Sequence, residues 1–276
     1  MSSSFKAEWR KLRHRPAVFW LGAFVLGIIV AVYGFSWLEY NSPNFHPDSG
    51  ATAAQIKASL YPANFSSLIV SGIAMVGGAL MLVMGALAVG SEYGWTTLKT
   101  VYTQRPGRLQ VLGGQVAAIS SVNAVVVLAV YAVAAACSFV IANLAGSPVV
   151  WPAAAEIVKA IAATWLIFEV WILFGMVMAY LFRQSALAIG LGLAYMLAIE
   201  AILFRALRGL NLDWVTSVEK YMVGQNANSL AGSFPGTAIH PQPTLVSVEH
   251  AVFVIVAYGL LFLIASALLV RRRDVA

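Results

Sequence analysis

Residues 66–90 read SSLIVSGIAMVGGALMLVMGALAVG, and no charged side chain interrupts them. A helix rising about 1.5 Å per residue needs roughly 20 such residues to cross a hydrocarbon core about 30 Å thick. Lipid offers no water to bond backbone N–H and C=O groups, so a run of this kind must close its hydrogen bonds internally as a helix. The pattern recurs. Working outward from this run, six spans fit at about 17–38, 66–90, 111–142, 157–182, 186–207 and 250–270. Of 276 residues 61% are hydrophobic and only 10% charged, with mean hydropathy +0.83. Soluble domains carry roughly 25% charged residues, which excludes a water-facing globule. The sequence therefore predicts an all-α, polytopic membrane protein with a single transmembrane domain spanning 1–276.

Orientation follows from where the cations fall. With the N-terminus in the cytoplasm, that side holds twelve of the seventeen Lys and Arg residues. They are Lys6, Arg10, Lys11, Arg13, Arg15, Lys99, Arg105, Arg108, Arg183 and Arg271 to Arg273. Lys57, Lys159, Arg205, Arg208 and Lys220 lie opposite. The net charge of +6 is thus a topology signal and no argument for nucleic acid. Both termini are expected in the cytoplasm, in a multi-pass protein of the cell membrane. The run from Ala17 to Leu38 is too long for a signal-peptide core, lacks a small-residue cleavage site after it, and reads as a retained anchor. Trp20 and Trp37 bracket it about 25 Å apart, as an interfacial aromatic belt would place them. Small residues at i, i+4 spacing (Ala74/Gly78, Ala86/Gly90, Gly175/Ala179, Ala188/Gly192) predict close helix packing within one bundle.

Residues 1–16 carry an amphipathic pattern. Phe5, Trp9 and Leu12 recur at i, i+4, i+7, and cations occupy the remainder. The segment is expected as an interface helix, its apolar stripe among lipid headgroups and its cations over anionic lipid. Residues 39–65 are punctuated by Pro43, Pro47 and Pro62 as turns. In the outer loop 208–249, Leu210 to Val223 suits a short helix at the interface, and Gly224 to Pro243 reads as a Gly-, Asn-, Ser- and Pro-rich loop.

Between the second and third spans the chain writes Ser91-Glu92-Tyr93-Gly94-Trp95-Thr96-Thr97-Leu98-Lys99-Thr100, and after Arg105 it continues Pro106-Gly107-Arg108-Leu109-Gln110-Val111-Leu112. Trp95, Leu98 and Tyr102 share one helical face, and Thr96, Thr100 and Thr103 another. Ser91 suits a cap, with Glu92 in a first turn where the helix dipole favours an anion. Residues 91–108 thus predict a short helix whose stripe must be covered by the spans, the lipid surface or a cytoplasmic partner.

This connection resembles that of ABC type 2 permeases, the membrane subunits of ATP-binding-cassette exporters of antibiotics, peptides, lipids and polysaccharides. In that family an acidic residue after span two precedes a Gly-Thr-Leu-like helix and a Pro/Ser-Arg turn. Six spans, cytoplasmic termini, a basic N-terminal helix and a long final outer loop match as well. Gln115 departs from the family, where Lys is common, as does Trp95, where Gly commonly precedes the Thr. The resemblance implies a coupling helix seated on a separate ATPase subunit, with Glu92, Trp95, Leu98, Lys99, Tyr102, Arg105 and Arg108 making the contact. It implies a second permease copy or homologue, since six spans form half of such a machine. It also implies that spans two and five line the path, with Met75, Leu82, Phe204 and Glu200 in it. The cargo would be hydrophobic or amphipathic.

The chain itself carries no phosphate-binding Gly-x-x-x-x-Gly-Lys-Ser/Thr loop. Val111-Leu112-Gly113-Gly114-Gln115 mimics an ATPase signature without its serine. No cofactor is therefore expected on this chain, no enzymatic activity of its own, and ATP with Mg only on the partner. Four scattered histidines offer no metal-ligand spacing, and Cys137 stands alone as a core filler.

Glu169, near the middle of span four, and Glu200, in span five, are the polar exceptions. A carboxylate at the bilayer centre costs at least about 2.5 kcal/mol and must face the bundle interior or water. Each is either a substrate, cation or proton group in the pathway, or a hydrogen-bonded structural carboxyl paired with Asn123 or Tyr195. Arg205 offers Glu200 further relief. Two rival functions follow: a proton-coupled secondary carrier titrating Glu169 and Glu200, and a non-transporting sensor or scaffold binding ligand in 208–249.

Overall fold

Each apolar run closes into a helix that starts one to three residues before it and, except for the fourth, ends one to four residues after it. The computed structural model describes residues 2–42, 45, 52–94, 107–210, 212–234 and 244–272. Helix α1 is Ser2–Arg13 and α2 is Pro16–Tyr40, opened by a proline in its first turn. Helix α3, Ala53–Ala58, starts in a capping box between Thr52 and Gln55. Then follow α4 (Phe65–Gly94), α5 (Arg108–Leu144), α6 (Ala154–Phe182), α7 (Ser185–Arg208), α8 (Asp213–Glu219), α9 (Val223–Gly232) and α10 (Val248–Arg272). Six of these, α2, α4, α5, α6, α7 and α10, are long and apolar enough to cross a membrane. No strand occurs among the described residues.

The core is the α4–α6 pair. Met81 and Leu82 on α4 and Phe168, Trp171, Ile172 and Tyr180 on α6 are fully buried. The two backbones touch where Gly85 and Gly175 face across. A Cβ on Gly85 would stand 2.1 Å from the Ile172 carbonyl oxygen, and one on Gly175 2.1 Å from that of Leu82. Small-residue spacing thus serves close packing inside the chain. Helix α2 lies at the periphery, burying Val25, Ile29 and Tyr33 while exposing Phe19, Trp20, Phe24 and Phe35.

Helix α1 packs on α5: a Cβ on Gly114 would come within 2.7 Å of the Ser4 Cβ. Arg108, at the start of α5, reaches the Val270 carbonyl near the end of α10 at 3.5 Å. The two described ends of the chain therefore meet at one end of the bundle.

Two expectations are corrected here. The stripe of Phe5, Trp9 and Leu12 packs against the bundle, with Leu12 3% exposed, and does not lie outward. Lys6, Arg10 and Arg13 form the exposed face. Ser91 and Glu92 do not start a new helix. They complete the last turn of α4, where the Ser91 hydroxyl donates to the Leu87 carbonyl at 2.6 Å.

Helix α7 is α-helical over Ser185–Leu193, π-helical over Ala194–Leu203 and α-helical again over Phe204–Arg208. Helix α9 occupies part of the stretch read as a Gly/Asn/Ser loop. It is sunk into the bundle at the end opposite the termini (the far end), with Asn226, Ala227, Ser229, Leu230 and Ala231 buried.

Candidate functional site

At the termini end, a junction forms around Glu92, which is 1% exposed. An isolated carboxylate cannot be buried cheaply, so it draws in partners. Lys11 forms an ion pair with it, and Arg15 reaches the same oxygen, Oε1, at 3.2 Å. The Gln115 amide donates to Oε2 at 3.2 Å, and the Tyr180 hydroxyl in turn donates to Gln115. Arg15 also donates to the Ala88 carbonyl at 3.2 Å, and Tyr93 meets the Tyr180 ring edge-on. One carboxylate thus ties α1, the α1–α2 turn, α4, α5 and α6 together. Lys11 is shared with Glu8 at 2.8 Å, so two carboxylates face two cations. Burial first, and the Glu92 charge second, hold the Glu8 carboxyl above the ordinary carboxylate value, against the pull of Lys11 and Arg15. The sequence marked Lys11 and Arg15 as topology and lipid-facing charges, and Gln115 as a family departure closing a signature look-alike, with nothing to link them to Glu92. Their convergence depends on α1 folding back over α5.

Glu92 and Arg108 flank the segment expected to couple to a motor. Trp95, Leu98, Lys99, Tyr102 and Arg105 lie outside the described residues.

In the bundle interior, Glu169 accepts from the Ser120 hydroxyl and, at 2.9 Å, from the Asn123 amide. Asn123 also donates to the Trp165 carbonyl at 3.2 Å, while the Trp165 indole donates to Ser120 O at 3.4 Å. These bonds lace α5 to α6. Glu169 is therefore a hydrogen-bonded carboxyl within the core, on the Asn123 side of the two pairings considered.

At the far end lies a cavity of about 490 Å³, within the range of ordinary ligand sites. It brings together Met75, Glu200 and Phe204, three of the proposed pathway residues, with Trp171, Met196 and Met222. Leu82 is not among its lining: its methyls pack on Gly192 at the α4–α7 contact. Nor is Glu169. Glu200 sits in the π-helical stretch, and its carboxylate caps α9. Oε1 accepts from the Tyr195 hydroxyl at 2.7 Å and the Val223 amide at 3.1 Å, and Oε2 accepts from the Gly224 amide at 2.6 Å. The side chain thereby satisfies two backbone donors that open a helix and meets the positive end of its dipole. At the cavity wall Arg208 donates to both carboxylate oxygens of Glu219, from Nε at 3.1 Å and from Nη2, which also reaches Gln225 at 3.4 Å. Trp171, Met196 and Glu219 carried no mark in the sequence, while Arg208 stood only as an outer cation and Met222 only within the stretch 210–223. They meet only because α8 and α9 fold back beside α7. The Arg205 side chain lies outside the described residues.

No protein-family model matches this sequence, and no curated protein matches it either. The resemblance to ABC type 2 permeases rests on the residues quoted above.

Proposed function

We propose that this chain is the membrane-spanning permease subunit of an ATP-binding-cassette exporter. In this reading it pairs with a second copy or a similar chain and moves a hydrophobic or amphipathic solute across the cell membrane. A separate subunit binds and hydrolyses ATP with Mg. The observation that carries the reading is the Glu92 junction. The α1 helix, α4, α5 and α6 are bound to one buried carboxylate at the point where the chain leaves α4 for the segment 95–106. Force applied beneath that segment enters all four helices at once. The far-end cavity, opposite the junction and bounded by α4 and α7, supplies a place for the solute.

The test is isolation of the tagged chain in mild detergent. The expected result is a co-purifying ATPase whose ATP-dependent transport falls when Glu92→Gln is introduced, and whose assembly weakens when Trp95→Ala is combined with Leu98→Ala. Transport that ignores ATP and collapses with the proton gradient overturns the proposal in favour of a carrier using Glu169 and Glu200. The π-helical break in α7 favours that rival, since carriers use interrupted helices. The paired break in the other half that such a carrier needs has no counterpart among the described residues.

A further inference from the structure

The far-end cavity holds one charge that no cation cancels. Three ionisable side chains line it: Glu200, Arg208 and Glu219. Arg208 and Glu219 neutralise each other, since the guanidinium donates to both oxygens of that carboxylate. Glu200 has no ion-pair partner among the described residues, where Lys11, Arg15 and Arg208 all pair with other carboxylates. The bonds Glu200 does make are all received, from the Tyr195 hydroxyl and from the Val223 and Gly224 amides. A protonated carboxyl carries an O–H that needs an acceptor, so three donors around it describe the anion. Those donors fill lone pairs without cancelling the charge. The N-terminus of α9 offsets only about half a unit of it.

The hydrogen bonds also sort the two oxygens. Oε1 accepts twice and turns towards Tyr195 and Val223, neither of which lines the cavity. Oε2 accepts once, from Gly224, which does line the cavity and has no side chain to stand in the way. Each carboxylate oxygen offers two lone pairs, so Oε2 keeps one. Glu200 is half-buried, so its side chain is not sealed off.

The surroundings narrow the ligand. An anion would be repelled by Glu200 and would find Arg208 already engaged. A bare metal ion needs several oxygen ligands at once, and no group of residues suited to a metal occurs among the described residues. The thioethers of Met75, Met196 and Met222 make part of the wall soft and apolar. The site therefore suits a cation that brings one N–H and an apolar body.

We propose that this cavity binds a protonated lipophilic amine, whose N–H donates to Glu200 Oε2 while its apolar body lies against the three methionines. This deepens the permease reading by naming the class of solute, and it rests on that reading only for calling the amine a cargo.

The experiment uses the full chain in lipid nanodiscs at pH 7, without nucleotide or any ATPase. It therefore fails or succeeds independently of motor binding. Diazirine probes with one alkyl chain and different head groups are compared: a primary amine, an alcohol, a trimethylammonium and a carboxylate. Labelling at Met75, Met196 or Met222 is divided by labelling at Phe19 and Phe35, on the exposed face of α2, to correct for partition into the disc. On that ratio the amine should exceed the alcohol about tenfold or more, as one hydrogen bond to a charged group provides. The trimethylammonium, charged but without an N–H, should fall below the amine, and the carboxylate should not exceed the alcohol. Glu200→Gln removes the charge, and should bring the amine down to the alcohol's ratio while leaving the alcohol's unchanged. An amine ratio in the native chain no higher than the alcohol's overturns the proposal, and that arm needs no variant to fold. A trimethylammonium ratio equal to the amine's overturns the bond to Oε2, and amine labelling undiminished in Glu200→Gln overturns the role of the carboxylate.

Discussion

Lys11 and Glu92, 81 residues apart in the sequence, form an ion pair in which the carboxylate is 1% exposed and the lysine 32%. The pair closes the N-terminal helix onto the end of α4, and Arg15 and Gln115 complete the shell. Removing one partner of a buried pair leaves the other charge uncompensated, at about 3–5 kcal/mol. Partial exposure of Lys11 places Glu92→Gln at the lower end, about 3 kcal/mol, read as lost thermal stability of the purified chain. Lys11→Met in the Glu92→Gln background should add less than it does alone, because the two share one interaction. Additive losses would show that the pair contributes nothing as a pair.

The α4–α6 contact makes a sharper steric prediction. Gly175→Ala sets a methyl 2.1 Å from the Leu82 carbonyl oxygen, a collision with backbone and not with a movable side chain. The cost should reach or exceed about 3 kcal/mol, the top of the usual overpacking range. Gly190→Ala meets nothing within 4 Å and gains helix propensity, so it should be neutral or slightly stabilising. Melting the two variants side by side checks the contrast.

Glu200 is expected to act on α9 before it acts on any solute. Glu200→Ala removes acceptors from Val223 and Gly224, a loss of about 1–2 kcal/mol for a helix start. Amide hydrogen exchange over residues 223–232 should accelerate, while α4 and α6 stay protected. Tyr195→Phe removes one donor of three and should do less. Unchanged exchange in α9 would overturn the capping role.

The docking of α1 should depend on pH through Glu8. Burial and the Glu92 charge raise its carboxyl above the ordinary 4.5. The docked form thus keeps a proton over an interval where the undocked form has lost it. Docking is strongest at and below the ordinary value, declines as pH rises to the raised one, and is flat beyond. Exchange of the α1 amides between pH 4.5 and 7 reads this directly, and Glu8→Gln should flatten the profile. A profile of the same shape in Glu8→Gln assigns the dependence to another group.

The spans were legible because bilayer thickness dictates their length and lipid forbids any alternative backbone. Positions such as Gly175 and Gly78 were legible as small-residue spacing, though not their facing partners. Helix α9 was hidden for a physical reason. Val223–Gly232 reads VGQNANSLAG, where two Gly, two Asn and a Ser offset the helix preference of its Ala, Gln and Leu. It is helical because Glu200 caps it and the bundle encloses it, and both are tertiary facts. The same holds for Ser91 and Glu92. Locally they read as a helix start, yet cations from the other end of the chain hold them inside α4. The apolar stripe of α1 was visible, but periodicity alone does not distinguish a face turned to lipid from one turned to α5.

Where Gly85 and Gly175 face across, no side chain separates α4 from α6, and at that crossing the two backbones bear directly on each other. Glu92 and Met75 stand roughly 25 Å apart along α4, and Trp171 on α6 lines the same chamber as Met75. The two helices behave as a single strut whose lower end is gripped by charge and whose upper end forms a wall of the chamber opposite.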